Sequence, residues 1–285
     1  MNLKRISNIS IFIISFFLGI VIVNAKSSVI VTDRGFELTE KQYNNLSKVF
    51  SDAKINSLPS EVLDVLKDSE NLVQKSDTKY YRVDEWYDPN GNVILSSDRE
   101  VSKEEALYFQ QHRDDFSGSD SHTTQMKQLV LTVTMGAQNV RYVDLTNTWL
   151  SIPQTKSYDV IGLRVSSNAS YLSNASISGY QNSDGTYYYY NGSSSNTKKS
   201  NTKHVGISMN IADSTSYTLV NHMEVVYSVG EAINVYGAYE HAKSNVTLSQ
   251  SQDYSFSSTG QGSVFKFSNS VNSKYDNMSG VHVVF

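Results

Sequence analysis

The chain has 285 residues, 28 of them acidic and 24 basic, and its formal net charge is −4 at pH 7. It contains no cysteine, which excludes disulfides, thiolate metal ligands and cysteine nucleophiles. The acidic balance argues against nucleic acid as a partner, because surfaces that bind nucleic acid are basic.

The first 25 residues have the pattern of a secretory signal peptide. Lys4 and Arg5 precede an apolar run from Ile9 to Val23, and the small residue Ala25 follows. This run is shorter than the roughly 20 apolar residues that a membrane-spanning helix needs. The sequence therefore predicts cleavage after Ala25 and export, with a retained N-terminal anchor as the alternative. Together with the lack of cysteine, this favours a secreted, extracellular protein of a Gram-positive bacterium.

Charge divides the remaining chain into two parts. Residues 26–122 hold 12 basic and 19 acidic residues, a net of −7, whereas residues 123–285 hold 10 and 9, a net of +1. The stretch from Arg113 to Thr123 is polar and has no apolar periodicity, which is typical of a linker. We predict a small acidic α+β domain at 26–112, a linker at 113–122 and a larger domain at 123–285.

The front part carries helix and hairpin signals. Thr39 and Gln42 form a capping-box pattern that predicts a helix over residues 40–51, and a second short helix is expected after Ser60. Alternating residues on both sides of the turn 88–91, Asp-Pro-Asn-Gly, predict a β-hairpin. Ser102, followed by Glu at the third position after it, predicts another helix that extends to Gln111.

The back part consists of short segments rich in β-branched and aromatic residues, with a period of two. Asn, Gly, Ser and Asp separate about eight such segments between Val140 and Phe285. This spacing predicts an antiparallel β-sandwich.

A run of four tyrosines is the strongest candidate for a binding surface. A turn at 182–185 precedes Tyr187, Tyr188, Tyr189 and Tyr190, so the run is predicted to begin a strand with alternate rings on opposite faces. One face would pack on the core, and we take Tyr188 and Tyr190 as the exposed pair. The alternative interpretation is that the tyrosine run has no binding role, because tyrosine is a common residue on half-buried strands. A loop at 191–203 follows the run, and its lysines complete the candidate site: Lys198, Lys199 and Lys203.

Motifs for catalysis and metal binding are missing from the sequence. It has no G-x-S-x-G, H-E-x-x-H or phosphate-binding glycine loop. A glycosidase needs two carboxylates about 5 to 10 Å apart. The acidic candidates in the back part are Asp144, Asp159, Asp184, Asp213, Glu224, Glu231, Glu240, Asp253 and Asp276. The six histidines form no i, i+4 pair, so we expect no metal site, no cofactor and no catalytic residue that the sequence alone identifies.

The leading hypothesis is a secreted, non-catalytic binding protein at the bacterial cell surface. Its expected partners are a surface glycan, a cell-wall polymer or a host protein, because tyrosine offers an apolar ring and a hydroxyl at low entropic cost. Two alternatives stay open. One is a β-pore-forming toxin, which would insert strands of about 9 to 11 residues into a membrane, and the other is a glycosidase that uses a carboxylate pair.

Overall fold

The computed structural model describes residues 28–112, 121–136, 139–166, 168–211, 219–230, 232–258, 263–276, 278 and 280–285. The predicted signal peptide at 1–25 and residues 113–120 of the predicted linker lie outside the described residues. The described strands are β1 (Val29–Val31), β2 (Glu37–Thr39), β3 (Val73–Tyr87), β4 (Val93–Val101), β5 (His122–Met135), β6 (Val140–Trp149), β7 (Tyr158–Val165), β8 (Ala169–Tyr171), β9 (Ile177–Ser183), β10 (Thr186–Asn191), β11 (Thr197–Ser200), β12 (His204–Asn210), β13 (Leu219–Val229), β14 (Asn234–Glu240), β15 (Tyr254–Phe256), β16 (Phe265–Phe267) and β17 (Val281–Val284). The described α-helices are α1 (Glu40–Leu46), α2 (Asp52–Ser57), α3 (Ser60–Leu66), α4 (Lys103–Gln111) and α5 (Leu248–Ser251).

Two antiparallel sheets make up most of the fold. The first has the order β10-β9-β13-β6-β5-β3-β4, with β8 also paired to β13, and the second has the order β11-β12-β7-β14-β17. Side chains from both sheets share one buried cluster, for example Leu145 of β6, Leu163 of β7 and Val225 of β13. The prediction of a mostly antiparallel β protein is therefore confirmed, and the two sheets pack face to face as in a sandwich.

The predicted hairpin belongs to the first sheet. Gly91 has φ +79° in the turn between β3 and β4, as the turn prediction requires. Strand β3 then pairs with β5 from Val73 opposite Met135 to Trp86 opposite His122. One sheet thus contains residues from both sides of the predicted linker. The division into domains at 26–112 and 123–285 remains a prediction.

The front helices cover part of the outer face of the first sheet. The capping box of α1 forms as predicted, because Thr39 Oγ1 accepts from the Gln42 backbone N–H and Gln42 Oε1 accepts from that of Thr39. This helix ends at Leu46, however, and the predicted continuation to residue 51 is wrong. A new N-cap, Ser51, begins α2 instead.

These helices are anchored on the sheet by apolar contacts. Ile55 of α2 and Leu63 of α3 are fully buried in a cluster that includes Tyr142 of β6 and Val226 of β13. This packing places α2 over the middle of the sheet. The longest described helix, α4, has nine residues, and no helix in the described part of the chain is long and apolar enough to span a bilayer.

A group of charged residues is buried in the sandwich. Lys127 Nζ of β5 donates to Asp276 Oδ2 at 2.6 Å, and both side chains are almost completely buried. Glu240, at the end of β14, is also buried; its Oε1 accepts from the Ser263 hydroxyl and its Oε2 from the Met278 backbone N–H. Burial and then the negative charge of Asp276 raise the pKa of Glu240 well above its ordinary value.

We predict that Glu240→Gln stabilises the protein increasingly as the pH rises. A carboxyl with a raised pKa binds its proton more tightly in the folded than in the unfolded state, so its contribution to stability falls above the unfolded pKa of roughly 4.3. Glutamine keeps the geometry of the neutral acid, since its amide can donate to Ser263 and accept from Met278. The gain in free energy of unfolding should grow by up to about 1.4 kcal/mol per pH unit.

Chemical denaturation between about pH 5 and pH 8 measures this difference, with the exposed Glu37→Gln as the matched control. A difference between Glu240→Gln and the unchanged protein that is the same at every pH would contradict the prediction.

Candidate functional site

The tyrosine run forms β10, the edge strand of the first sheet. Tyr187 and Tyr189 are 47% and 67% exposed, and their ring centroids are 5.8 Å apart with nearly parallel planes, 11° from each other. Tyr180 of the neighbouring strand β9 contacts both, with centroid distances of 5.4 Å and 6.4 Å. These three rings lie on the outer face of the sheet and form one aromatic surface.

The other two tyrosines point toward the second sheet. Tyr188 and Tyr190 pair with Gln181 and Gly179, whose positions on β9 are buried. Tyr190 is half-buried against the main core, and Tyr188 lies beyond its edge with 40% exposure. The expectation that Tyr188 and Tyr190 form the exposed pair therefore holds for Tyr188 and is wrong for Tyr190, because the pairing register of β10 turns the Tyr190 ring toward the core.

A groove of about 720 Å³ runs beside the outer tyrosines, and we call it the tyrosine groove. One wall is formed by β9 and β10, and the other by α2 and the turn between β1 and β2. The lining residues are Asp33, Arg34, Ala53, Lys54, Asn56, Ser57, Pro59, Ser178, Gly179, Tyr180, Tyr187, Tyr189, Tyr190 and Glu224. Aromatic rings thus face polar and charged groups across an open channel, an arrangement suited to an amphipathic ligand.

A charged cluster lies between the tyrosine groove and a second cavity of about 470 Å³. Lys54 lines both, Glu224 lines the groove, and Asp144 lines the second cavity. Lys54 Nζ of α2 donates to Asp144 Oδ2 at 2.6 Å and to Glu224 Oε1 at 3.0 Å. Burial would lower the pKa of Lys54, but the two carboxylates raise it above its ordinary value. Burial would likewise raise the pKa of Asp144, but the neighbouring His222 and Lys54 side chains hold it well below its usual range. Lys54 and Asp144 are therefore both ionised at neutral pH.

The sheet register brings the acidic residues together. Glu224 of β13 is directly opposite Asp144 of β6, and His222 lies two positions before Glu224 on the same face. His222 Nε2 is 3.0 Å from Asp144 Oδ2 and 3.5 Å from Glu224 Oε1. The Tyr180 ring lies over the imidazole at a centroid distance of 4.5 Å. The charged cluster is therefore continuous with the aromatic surface.

The three predicted lysines are not among the residues that line the tyrosine groove. Lys198 and Lys199 belong to β11, a strand where the sequence predicted a loop. Lys198 Nζ donates to the carbonyls of Gln252 and Tyr254, and Lys199 Nζ to Asn174 Oδ1 and the Gly192 carbonyl. Lys203 lies in the turn before β12. The binding role of the lysines remains a prediction, whereas the position of Lys198 indicates a structural one.

The carboxylate pair at Asp144 and Glu224 does not have the arrangement of a glycosidase site. Such a site needs one carboxyl that keeps its proton near neutral pH in order to protonate the leaving group. Lys54 bridges both carboxylates, and the pKa of Asp144 is lowered rather than raised. This pair is therefore organised to hold positive charge.

The sequence matches no protein-family model, and it matches none of the curated proteins. Among solved structures, it is similar to the collagen-binding domain of a Staphylococcus aureus adhesin at 12% identity and TM-score 0.24, over 34% of this chain and 75% of that one. It is also similar to the collagen-binding domain of Erysipelothrix rhusiopathiae surface protein RspB, at 7% identity and TM-score 0.25, over 41% and 55% of the two chains. A third similarity is to the KRT10-binding region domain of the pneumococcal serine-rich repeat protein PsrP, at 16% identity and TM-score 0.24, over 59% and 89%. These scores do not establish a common fold.

We predict that Lys198→Met lowers the free energy of unfolding by about 1 to 3 kcal/mol, because two carbonyls lose a charged donor. The Lys198 ammonium also lies 4.7 Å from the centroid of the buried Tyr254 ring, and this contact would disappear as well. Urea denaturation of Lys198→Met and of the exposed control Lys266→Met measures the effect. Equal stability of the two variants would show that Lys198 is a surface residue.

Proposed function

We propose that this chain is a secreted, non-catalytic binding protein whose tyrosine groove recognises a glycan outside the cell. The observation that supports this most is the pair of exposed, nearly parallel rings of Tyr187 and Tyr189 on the groove wall. The signal-peptide pattern at residues 1–25 is the basis for export.

The chemistry of the tyrosine groove matches that of a sugar chain. A pyranose ring has an apolar face of C–H groups, which packs on an aromatic ring, and a rim of hydroxyls, which need hydrogen-bond partners. Tyr187, Tyr189 and Tyr180 offer the aromatic faces. Arg34 and Asn56 are polar groups on the opposite wall. The groove has a volume of about 720 Å³, which is within the range of small-molecule sites.

The two alternative functions have less support. Two segments of the sequence, residues 167–180 and 204–214, partly alternate apolar and small polar residues as a pore-former would require, and they include β9 and β12. Both strands are paired on two sides, and Ile177 and Ile207 contribute fully buried side chains to the core. Their insertion into a membrane would require the sandwich to be taken apart. The glycosidase alternative would need a proton-donating carboxyl beside the groove, where Asp144 is held ionised.

We predict that the double replacement Tyr187→Ser, Tyr189→Ser weakens retention on purified bacterial cell walls by about tenfold or more, since each aromatic contact contributes about 0.5 to 1.5 kcal/mol beyond its area. The two residues are 47% and 67% exposed and lie outside the main core, so the melting temperature should stay close to that of the unchanged protein. A sedimentation assay with protein-free walls measures retention.

Tyr108→Ser is the matched control, because Tyr108 is 53% exposed on α4 and does not line the tyrosine groove. The control should bind like the unchanged protein. Retention that the double replacement leaves unchanged would rule out the groove as the binding site, and binding to immobilised host proteins but not to walls would replace the glycan with a polypeptide ligand.

A further inference from the structure

Three side chains on the outer face of the first sheet direct metal-binding atoms at one point. Asp144, His222 and Glu224 each offer one ligand atom, and these atoms lie within 4.8 Å of one another. His222 and Glu224 are buried, and Asp144 is partly buried. Glu224 lines the tyrosine groove, whereas Asp144 and His222 line the neighbouring cavity of about 470 Å³.

We propose that Asp144, His222 and Glu224 bind a divalent transition-metal ion such as Zn²⁺, and that the Lys54 ammonium competes with the metal for the two carboxylates. This metal site is separate from the tyrosine rings of the proposed glycan-binding surface. It does not rest on the proposed function and is tested without any groove ligand.

The distances fit a tetrahedral ion. Zinc lies about 2.0 to 2.2 Å from nitrogen and oxygen ligands, so two ligands of one tetrahedral ion are about 3.3 Å apart. His222 Nε2 is 3.0 Å from Asp144 Oδ2 and 3.5 Å from Glu224 Oε1. A zinc ion could therefore bind all three atoms after small side-chain adjustments and would keep a fourth position for a further ligand.

The state of His222 is an independent observation. Its side chain is only 2% exposed, yet neither ring nitrogen has a hydrogen-bond partner among the described residues. Nε2 is close to two carboxylate oxygens without forming a hydrogen bond to either. Buried polar groups are normally satisfied, and a bound metal is one of the usual reasons for an exception. A metal at the convergence point would provide Nε2 with a partner.

Lys54 explains how the site is neutralised when it holds no metal. Two carboxylates this close repel each other, and the Lys54 ammonium compensates their charge from 2.6 Å and 3.0 Å. Lys54 belongs to α2, a helix of six residues at the groove wall, and its side chain is 25% exposed. A metal with two positive charges would displace it, and the ammonium could then turn toward the groove.

The donor set favours a transition metal over calcium or magnesium. Calcium takes six to eight oxygen ligands, and magnesium requires an octahedral set dominated by oxygen. One imidazole and two carboxylates, with one or two open positions, are typical of zinc and of divalent iron or manganese. Zn²⁺ is therefore the appropriate probe.

Isothermal titration of the purified, metal-free protein with ZnCl₂ tests the proposal. We expect one zinc ion per chain, and tighter binding to Lys54→Met by roughly tenfold or more, because the competing charge is removed. His222→Gln should weaken binding by at least about tenfold, both alone and combined with Lys54→Met. A gain of affinity in Lys54→Met cannot result from misfolding if His222→Gln reverses it.

Lys41→Met is the matched control, because Lys41 also forms an ion pair, with Glu70 at 2.7 Å, on the neighbouring helix α1. Its zinc affinity should equal that of the unchanged protein. Absence of zinc binding by the unchanged protein, or zinc binding that His222→Gln leaves intact, would overturn the proposal.

Discussion

The ion pairs of Lys54 with Asp144 and Glu224 connect the front helices to the sandwich, and the candidate site depends on them. Both carboxylates are far from Lys54 in the chain: Asp144 is 90 positions away and Glu224 is 170 positions away. Apolar contacts of Ile55 hold α2 on the sheet, but Lys54 is the residue of α2 that pairs with charges on the sheet itself. Breaking a partly buried pair leaves an uncompensated charge, so both carboxylates restrain where α2 can lie.

The shape of the tyrosine groove follows from this restraint. One wall is β10 with its outward rings, and the other is α2, so the width of the channel depends on the position of Lys54. The Tyr180 ring lines the groove and also contacts the His222 imidazole, which belongs to the charged cluster. The aromatic wall and the charged cluster are therefore adjacent parts of one structural unit.

Local signals in the sequence predicted the parts of the fold that depend on nearby residues. The caps at Thr39 and Ser102 and the turn at Gly91 act within a few positions, and each was predicted correctly. The end of α1 and the start of α2 were missed. Ser51 was predicted as the last residue of one helix, but it is the N-cap of the next. The sequence showed that alternate tyrosines lie on opposite faces of the strand. Which face is buried depends on the pairing register with β9, and a local pattern does not determine that register.

The charged cluster could be predicted only in part. His222 and Glu224 are two positions apart, which places them on the same face of a strand, whereas the i, i+4 spacing of metal-binding histidines applies to helices. Neither Asp144 nor Lys54 could be assigned to them from sequence, because both contacts depend on tertiary structure. The strand position of Lys198 was missed for the same reason: Lys198 looked like a solvent-exposed loop residue, yet it belongs to β11 and donates to carbonyls more than 50 positions away.

Amine-specific labelling with mass spectrometry tests the position of Lys54 most directly. The Lys54 side chain is 25% exposed and its ammonium is held between two carboxylates, whereas that of Lys41 is 75% exposed. Under limiting reagent, Lys54 should be labelled much more slowly than Lys41, since a protonated and enclosed amine is a poor nucleophile. Equal labelling rates at the two lysines would contradict this account, because α2 would then not be fixed over Asp144 and Glu224.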